Sequence, residues 1–309
     1  MNLPATLWQL VSRWRELAAG QTLLRESVRQ LKPDLIVNFL EPMVGWFSRR
    51  ESPATPVLAI GHQFLLDHPT YVSLAERRLQ QWGLRQYVAA TGCRATKYAL
   101  SFYRTTDQAD QGCWVGPPLL REELFHRTPE PGDFLLVYLL NEGYRRDLEA
   151  WHARNPEIPL HCFYDRLQAP AVERVDSTLT FHTLHGERFL DFMARCRGVV
   201  CTAGFEAVSE AAWLGKPVLA VPVEGHIEQA LNAVDAEHCG LAIAGQRFDL
   251  DRLLEVSPNR MARARFRHWM AESDQRLAVA VAAARQGGWR VWRSAPKSEV
   301  RWTGAESHG

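Results

Sequence analysis

The 309-residue chain has no apolar run long enough to cross a bilayer; its longest are Phe134–Leu140 and Leu277–Ala284. A spanning helix needs about 20 mostly apolar residues. A secretory leader is missing too, because Arg13, Arg15 and Glu16 stand where its unbroken apolar stretch would be. These absences predict a cytoplasmic protein. The six cysteines (Cys93, Cys113, Cys162, Cys196, Cys201, Cys239) include no C-x-x-C pair, so zinc-site spacing is absent. Several fall inside apolar runs, and buried, reduced thiols are expected. An excess of one charge is also lacking: 36 Lys/Arg meet 35 Asp/Glu, a net charge of +1. With 46% hydrophobic and 23% charged residues, wholesale disorder, collagen and coiled coil are excluded.

The near-neutral total hides an asymmetry. Residues 259–309 hold ten Lys/Arg and four Asp/Glu, a net +6, while the rest holds 26 against 31. With Trp269, Trp289, Trp292 and Trp302 in the same stretch, this basic segment has two readings. It is a peripheral contact with an anionic membrane surface, at the inner membrane face, or a solvated helix face followed by a loose tail. No nucleic-acid-binding motif accompanies it, so no nucleic-acid partner is expected.

The length suits two domains at roughly 150 residues each. Apolar runs alternate with amphipathic stretches, the pattern of α/β units with parallel sheets. In the first part, strands are predicted at Asp34–Phe39, Val57–Ile60, Lys97–Phe102 and Cys113–Val115, with a helix over Leu74–Ala89. Arg127–Asp133, with two prolines, a glycine and charges, reads as the linker. Beyond it, strands are predicted at Phe134–Leu140, Pro159–Tyr164, Leu179–Thr183, Gly198–Cys201, Val218–Val221 and Leu241–Ala244, separated mostly by helices. Six strands with helical crossovers make a doubly wound unit. The first part instead opens on a helix-like stretch, Leu7–Leu31, without the strand and Gly-rich turn that usually begin such a sheet. An incomplete N-terminal domain is therefore expected.

Chemistry concentrates in Gly198–Ile243. A strand ending at Cys201 passes through the small-residue turn Thr202-Ala203-Gly204 into a helix from Phe205. Small residues admit a ligand to the backbone, and the N–H groups and dipole of a helix start favour phosphate. Glu206, Ser209 and Glu210 share one helix face; a carboxylate one turn below a phosphate can accept hydrogen bonds from a ribose diol. Gly215 ends the helix and Pro217 begins the next strand. After the loop Glu224-Gly225-His226, a helix from Ile227 carries Gln229 and Asn232, whose amides can hold sugar hydroxyls.

This order and spacing of Thr202-Ala-Gly-Phe205, Ser209-Glu210, Gly215-Lys-Pro217, Pro222, Gly225, Glu228-Gln229, Asn232-Ala233 and Gly240 resembles the donor-binding half of GT-B glycosyltransferases. It is similar in outline to the peptidoglycan N-acetylglucosaminyl transferase and to UDP-glucuronosyltransferases. The resemblance implies two Rossmann-like domains facing a cleft, the C-terminal one holding a nucleotide sugar and the N-terminal one the acceptor. The predicted division is 1–126, 127–258, and 259–309 as a final helix crossing back to the first domain, as the resemblance implies, plus a basic tail. The resemblance also implies that Glu210 holds the donor ribose and that Thr202, Ala203, Gly204 and Phe205 lie at the diphosphate. By the same resemblance Ser209, His226, Glu228, Gln229 and Asn232 complete the donor site. Leu184–Phe189 resembles the part flanking the base. Asn141–Tyr144 stands where the family has a glycine-rich loop, without the glycines. No Asp-x-Asp signature occurs where a metal site would be needed. The implied reaction is therefore metal-independent, with a UDP-linked nucleotide sugar as co-substrate and no cofactor.

An inverting transfer needs a base for the acceptor hydroxyl. His62, in Gly61-His62-Gln63 at the end of a predicted strand, is the candidate, for base or acceptor ligand, beside the reading that it is a satisfied packing histidine. The acceptor is a sugar, a lipid-linked molecule or another small molecule. Two further readings stand beside glycosyl transfer: a nucleotide-sugar 2-epimerase, and an inactive, truncated nucleotide-sugar-binding homologue.

Overall fold

The computed structural model describes residues 14–51, 53–139, 142–164, 170–256 and 259–287. The chain divides into two α/β units. Residues 14–117 and 269–287 form one, and Pro118–His268 the other.

In the first unit α1 (Trp14–Leu31) precedes β1 (Ile36–Asn38), α2 (Pro42–Glu51), β2 (Val57–Gly61), α3 (Arg78–Thr91), β3 (Thr96–Leu100) and β4 (Cys113–Gly116). The four strands lie in the order β1-β2-β3-β4 and all run parallel. Parallel strands covered on both faces carry continuous apolar runs. Accordingly Leu58, Ala59, Ile60, Tyr98, Ala99 and Val115 are almost wholly buried. The start of the notional opening helix, residues 1–13, lies outside the described residues.

In the second unit α4 (Glu122–Phe125) leads to β5 (Leu135–Leu139), α5 (Arg145–His152), β6 (Leu160–Tyr164), β7 (Val172–Arg174) and β8 (Leu179–Thr183). Then follow α6 (Gly186–Arg195), β9 (Gly198–Cys201), α7 (Phe205–Leu214), β10 (Val218–Ala220), α8 (Ile227–His238), β11 (Ile243–Ala244) and α9 (Asp251–Leu254). The sheet order is β11-β10-β9-β5-β6-β8-β7, parallel except for β7. Strand periodicity sends Leu135, Val137 and Leu139 into a core with Trp151, Leu160, Phe181, Val200 and Leu219. On the other face Tyr138 and Phe163 pack on Phe189 of α6. β7 escapes sequence reading because three residues of partly exposed Val-Glu-Arg carry no apolar run. It is held by pairing with β8 and by Glu173, which receives both Arg145 Nη1 and Nη2 at 3.0 and 2.8 Å.

Two boundaries differ from expectation. The division falls between Pro117 and Pro118, ahead of the Arg127–Asp133 segment. That segment is docked on the second unit. Glu130 N donates to Ala194 O at 2.9 Å, and a Cβ on Gly132 would collide with the Arg195 carbonyl. Buried Lys216 donates from Nζ to Glu130 O and Cys196 O at 2.6 and 2.8 Å. A Pro/Gly-rich stretch resembles a linker by composition, but backbone bonds and one buried ammonium tie it down. The second difference is one of position only, the boundary expected after residue 258 falling between His268 and Trp269. The C-terminal segment leaves the second unit within α10 (Arg260–Met270), and α11 (Ser273–Arg285) packs on β2, β3 and β4 of the first. Trp269, read as part of a basic aromatic surface, is 1% exposed and donates Nε1 to Ser101 O at 2.9 Å. Trp289, Trp292 and Trp302 lie outside the described residues. No helix among the described residues is long and apolar enough to cross a membrane.

All six cysteines are free, four of them buried. Burial pushes the thiols of Cys113, Cys196 and Cys201 up to about 12.

Candidate functional site

In the second unit β5 stands at the middle of its sheet. Strands β6 and β8 extend to one side and β9, β10 and β11 to the other. The strand order reverses between β5 and β9. In open parallel sheets a crevice at the carboxyl ends of the strands opens at that switch point. The loops leaving β5 and β9 flank it.

The β9 loop is Thr202-Ala203-Gly204. Thr202 and Ala203 are buried, and Ala203 sits at φ 56°. A non-glycine residue in the left-handed region costs of order 1 kcal/mol and persists where its surroundings hold it. Here Asn232 of α8 holds it, donating Nδ2 to Ala203 O at 3.1 Å, while its own buried Oδ1 has no hydrogen-bond partner. Gly204 is the N-cap of α7 and supplies no side-chain cap; a Cβ there would meet nothing within 4 Å. The first N–H groups of α7 thus emerge beside open space. Uncapped amides and the helix dipole together favour an anion.

Glu210 lies one turn further along α7. It is 4% exposed and paired in bidentate fashion: Arg121 Nε reaches Oε1 at 2.7 Å and Nη2 reaches Oε2 at 2.9 Å. The carboxylate in turn raises the Arg121 guanidinium above its ordinary value. Arg121 went unnoticed in the sequence because it lies 89 positions from its partner, and only tertiary structure joins them.

The β10–α8 loop supplies the remaining members. His226 is the exposed N-cap residue of α8, and Glu228 is half-buried in its first turn. Gln229 accepts the Val223 N–H on Oε1 at 2.8 Å, which fixes that loop. Tyr144, after β5, accepts from the Glu224 N–H at 3.4 Å. Asn141, with which the Asn141–Tyr144 turn begins, and Leu140 before it lie outside the described residues. The structure thus gathers Thr202, Ala203, Gly204, Phe205, Glu210 and Asn232 at one turn. His226, Glu228 and Gln229 stand at the start of the neighbouring helix.

Ser209 does not join them. It is fully buried, and its hydroxyl donates back to Phe205 O at 2.8 Å. This i→i−4 bond is the usual resting place of a serine inside a helix, and it spends the hydroxyl proton on the helix itself.

His62 belongs to the first unit. It is 3% exposed, with Nδ1 2.7 Å from Leu100 O and Nε2 3.3 Å from Tyr71 Oη. A carbonyl only accepts, so Nδ1 carries the proton and Nε2 accepts from the Tyr71 hydroxyl. The ring packs against Tyr71 and Phe102, and burial lowers its pKa to about 4. Of the two sequence readings, this environment is that of the packing histidine. The basic nitrogen is engaged, and a group of pKa near 4 is a feeble base at neutral pH.

Two further polar features had no signal in the sequence. His161 Nδ1 lies 2.9 Å from His182 Nε2 across β6 and β8, with burial lowering His182 to about 4. Asp235 on α8 is fully buried, and burial raises its carboxyl to about 8.

A doubly wound parallel sheet with an open, uncapped helix start at its switch point defines a class of nucleotide- or phosphate-binding α/β proteins. The model of glycosyl transferase family 1 matches residues 3–257, and the chain belongs to that family. It is a glycosyltransferase. No curated protein matches the chain. Among solved structures it is similar to the calicheamicin glycosyltransferase CalG4, with 16% identity and TM-score 0.56 over 91% of this chain and 83% of that one. It is also similar to Phytolacca americana UGT2 complexed with UDP-2fluoro-glucose and pterostilbene, with 13% identity and TM-score 0.58 over 89% and 81%. The glycosyltransferase SnogD from Streptomyces nogalater matches with 15% identity and TM-score 0.50 over 84% and 75%. At such identities the likeness is one of fold, the GT-B fold.

Proposed function

We propose that this glycosyltransferase uses a UDP-linked sugar donor and transfers the sugar, with inversion and without a bound metal, to a sugar, lipid-linked or other small-molecule acceptor. The observation that carries the proposal is the uncapped start of α7 at the switch point, with the Glu210 carboxylate one turn beyond it. The backbone of Thr202, Ala203 and Gly204 lies against the diphosphate. Glu210 accepts hydrogen bonds from the ribose hydroxyls. His226, Glu228, Gln229 and Asn232 line the sugar side. The acceptor hydroxyl oxygen attacks the anomeric carbon, the bond to the diphosphate breaks, and the hydroxyl proton passes to the departing diphosphate or to water. Negative charge then grows on the leaving phosphate, where helix dipole and N–H groups stabilise it without a cation. The name of the Phytolacca relative, which includes a UDP sugar, supports the choice of nucleotide.

His62 is assigned to packing rather than to proton transfer. The test of the donor site is a thermal-shift panel of UDP-, GDP- and TDP-linked sugars on the wild type and Glu210→Ala. A ligand at 100 times its Kd adds about 2.7 kcal/mol to a one-site protein. A UDP sugar is expected to raise the wild-type melting temperature and leave that of Glu210→Ala unmoved. Stabilisation by a GDP- or TDP-linked sugar alone refutes the nucleotide. Equal stabilisation of both proteins removes Glu210 from the site.

A further inference from the structure

The pair formed by Arg121 and Glu210 has an asymmetry. The Glu210 side chain is 5% exposed and that of Arg121 43%. The guanidinium spends Nε and Nη2 on the carboxylate. Its third nitrogen, Nη1, faces the start of α6, where a Cβ on Gly186 would lie 3.2 Å from it. Arg121 is thus wedged between the carboxylate and the Leu184–Phe189 stretch, in which Leu184 is 46% exposed.

A carboxylate offers about four acceptor positions on its two oxygens. The bidentate fork takes one on each oxygen and fixes the plane of the group, because both guanidinium and carboxylate are planar. One acceptor position per oxygen remains. Two acceptors held at a fixed spacing match two hydroxyls on adjacent carbons, whereas a single hydroxyl uses only half the arrangement. A carboxylate without the fork would rotate, or turn out toward water.

We infer that Arg121 is a positioning residue for the donor: its guanidinium clamps Glu210 so that both carboxylate oxygens meet a vicinal diol, which makes the site prefer ribonucleotides to 2′-deoxyribonucleotides. This rests on the reading of Glu210 as the group that holds the ribose. Lysine cannot replace the clamp, since a single ammonium cannot bridge both oxygens in a plane.

The test is calorimetric titration of the full chain with UDP and 2′-deoxy-UDP, and with the corresponding GDP pair. The proteins are wild type, Arg121→Ala, Arg121→Lys, Glu210→Gln and the Arg121→Ala/Glu210→Gln double variant, each checked for a cooperative melt. The wild type is expected to bind one ribonucleotide about tenfold or more tighter than its deoxy counterpart, the scale of one good hydrogen bond to a charged group. Both Arg121 variants lose that preference, chiefly through weaker ribonucleotide binding. The double variant binds no worse than Glu210→Gln, because the two residues act as a unit. If Arg121→Ala does not fold, Arg121→Lys carries the test. A preference that survives in the Arg121 variants overturns the inference alone. So does an equal loss for both sugars, which marks a merely structural pair, and so does a wild type that binds both sugars equally. A wild type that binds neither ribonucleotide overturns the donor reading, and the inference with it.

Discussion

His62→Ala separates packing from catalysis in the first unit. The ring is buried between Tyr71 and Phe102 and bonded at both nitrogens. Truncation opens a cavity and leaves the Leu100 carbonyl without its donor. Cavity formation by loss of a large buried side chain costs about 2–5 kcal/mol, and the orphaned carbonyl about 1 kcal/mol more. A loss of about 3–6 kcal/mol is therefore expected. The pH dependence gives an independent measure. The folded pKa lies near 4, below the ordinary 6.5. The neutral ring thus contributes stability that is full above pH 6.5 and is lost as the pH falls toward 4. At 1.36 kcal/mol per pKa unit this amounts to about 3 kcal/mol. Urea unfolding of wild type and variant at pH 7.5, 6.5, 5.5 and 4.5 measures both quantities. The variant is expected to be less stable at pH 7.5 and to lose less on acidification; the residual slope belongs partly to His182, which is also lowered to about 4. A variant as stable as the wild type at every pH, yet without transfer activity, refutes this reasoning and makes His62 the base.

Four further outcomes follow from the second unit. Asn232→Ala removes the bond that holds Ala203 at positive φ; chemical denaturation should show a loss of about 1–2 kcal/mol, with weaker binding of nucleoside diphosphates. Lys216→Met leaves the Glu130 and Cys196 carbonyls unpaired and should cost about 1–3 kcal/mol. Its affinity for UDP should be unchanged, and a fall in affinity would place Lys216 in the site. Asp235 has a folded pKa near 8 against 3.8, so its burial costs stability progressively as pH rises from 4 to 8. Asp235→Asn should raise the melting temperature at pH 7.5 and lose that gain by pH 4. Finally, the proposed metal-independent transfer from a UDP sugar should be unaltered by EDTA; activity restored only by magnesium or manganese contradicts that proposal.

Much of the second unit was legible because its signals are local. Periodicity marks β5, β6, β8, β9 and β10, and Gly215 at φ 69° closes α7 where a left-handed cap is needed. Thr202-Ala203-Gly204 followed by an amphipathic run announces a strand, a tight turn and a helix start. The bond of Ser209 back to Phe205 O carries no such local signal. Ser209 shares a helix face with Glu210, but the face says nothing about whether a hydroxyl will turn back to the carbonyl four residues earlier. The local reading erred on Arg127–Asp133 because composition cannot reveal a buried lysine that arrives from Lys216.

The sequence by itself determined the class of fold, the alternation of strands and helices, and the turn between β9 and α7. Each of these depends on residues within a few positions of one another. Tertiary structure alone decided which polar groups are spent on the protein and which remain for a ligand. The desolvation of His62, the partnership of Arg121 with Glu210, and the hold of Asn232 on Ala203 arise from segments 38, 89 and 29 positions apart. Burial and hydrogen bonding are properties of the surroundings, and a sequence specifies those surroundings only once the chain has folded.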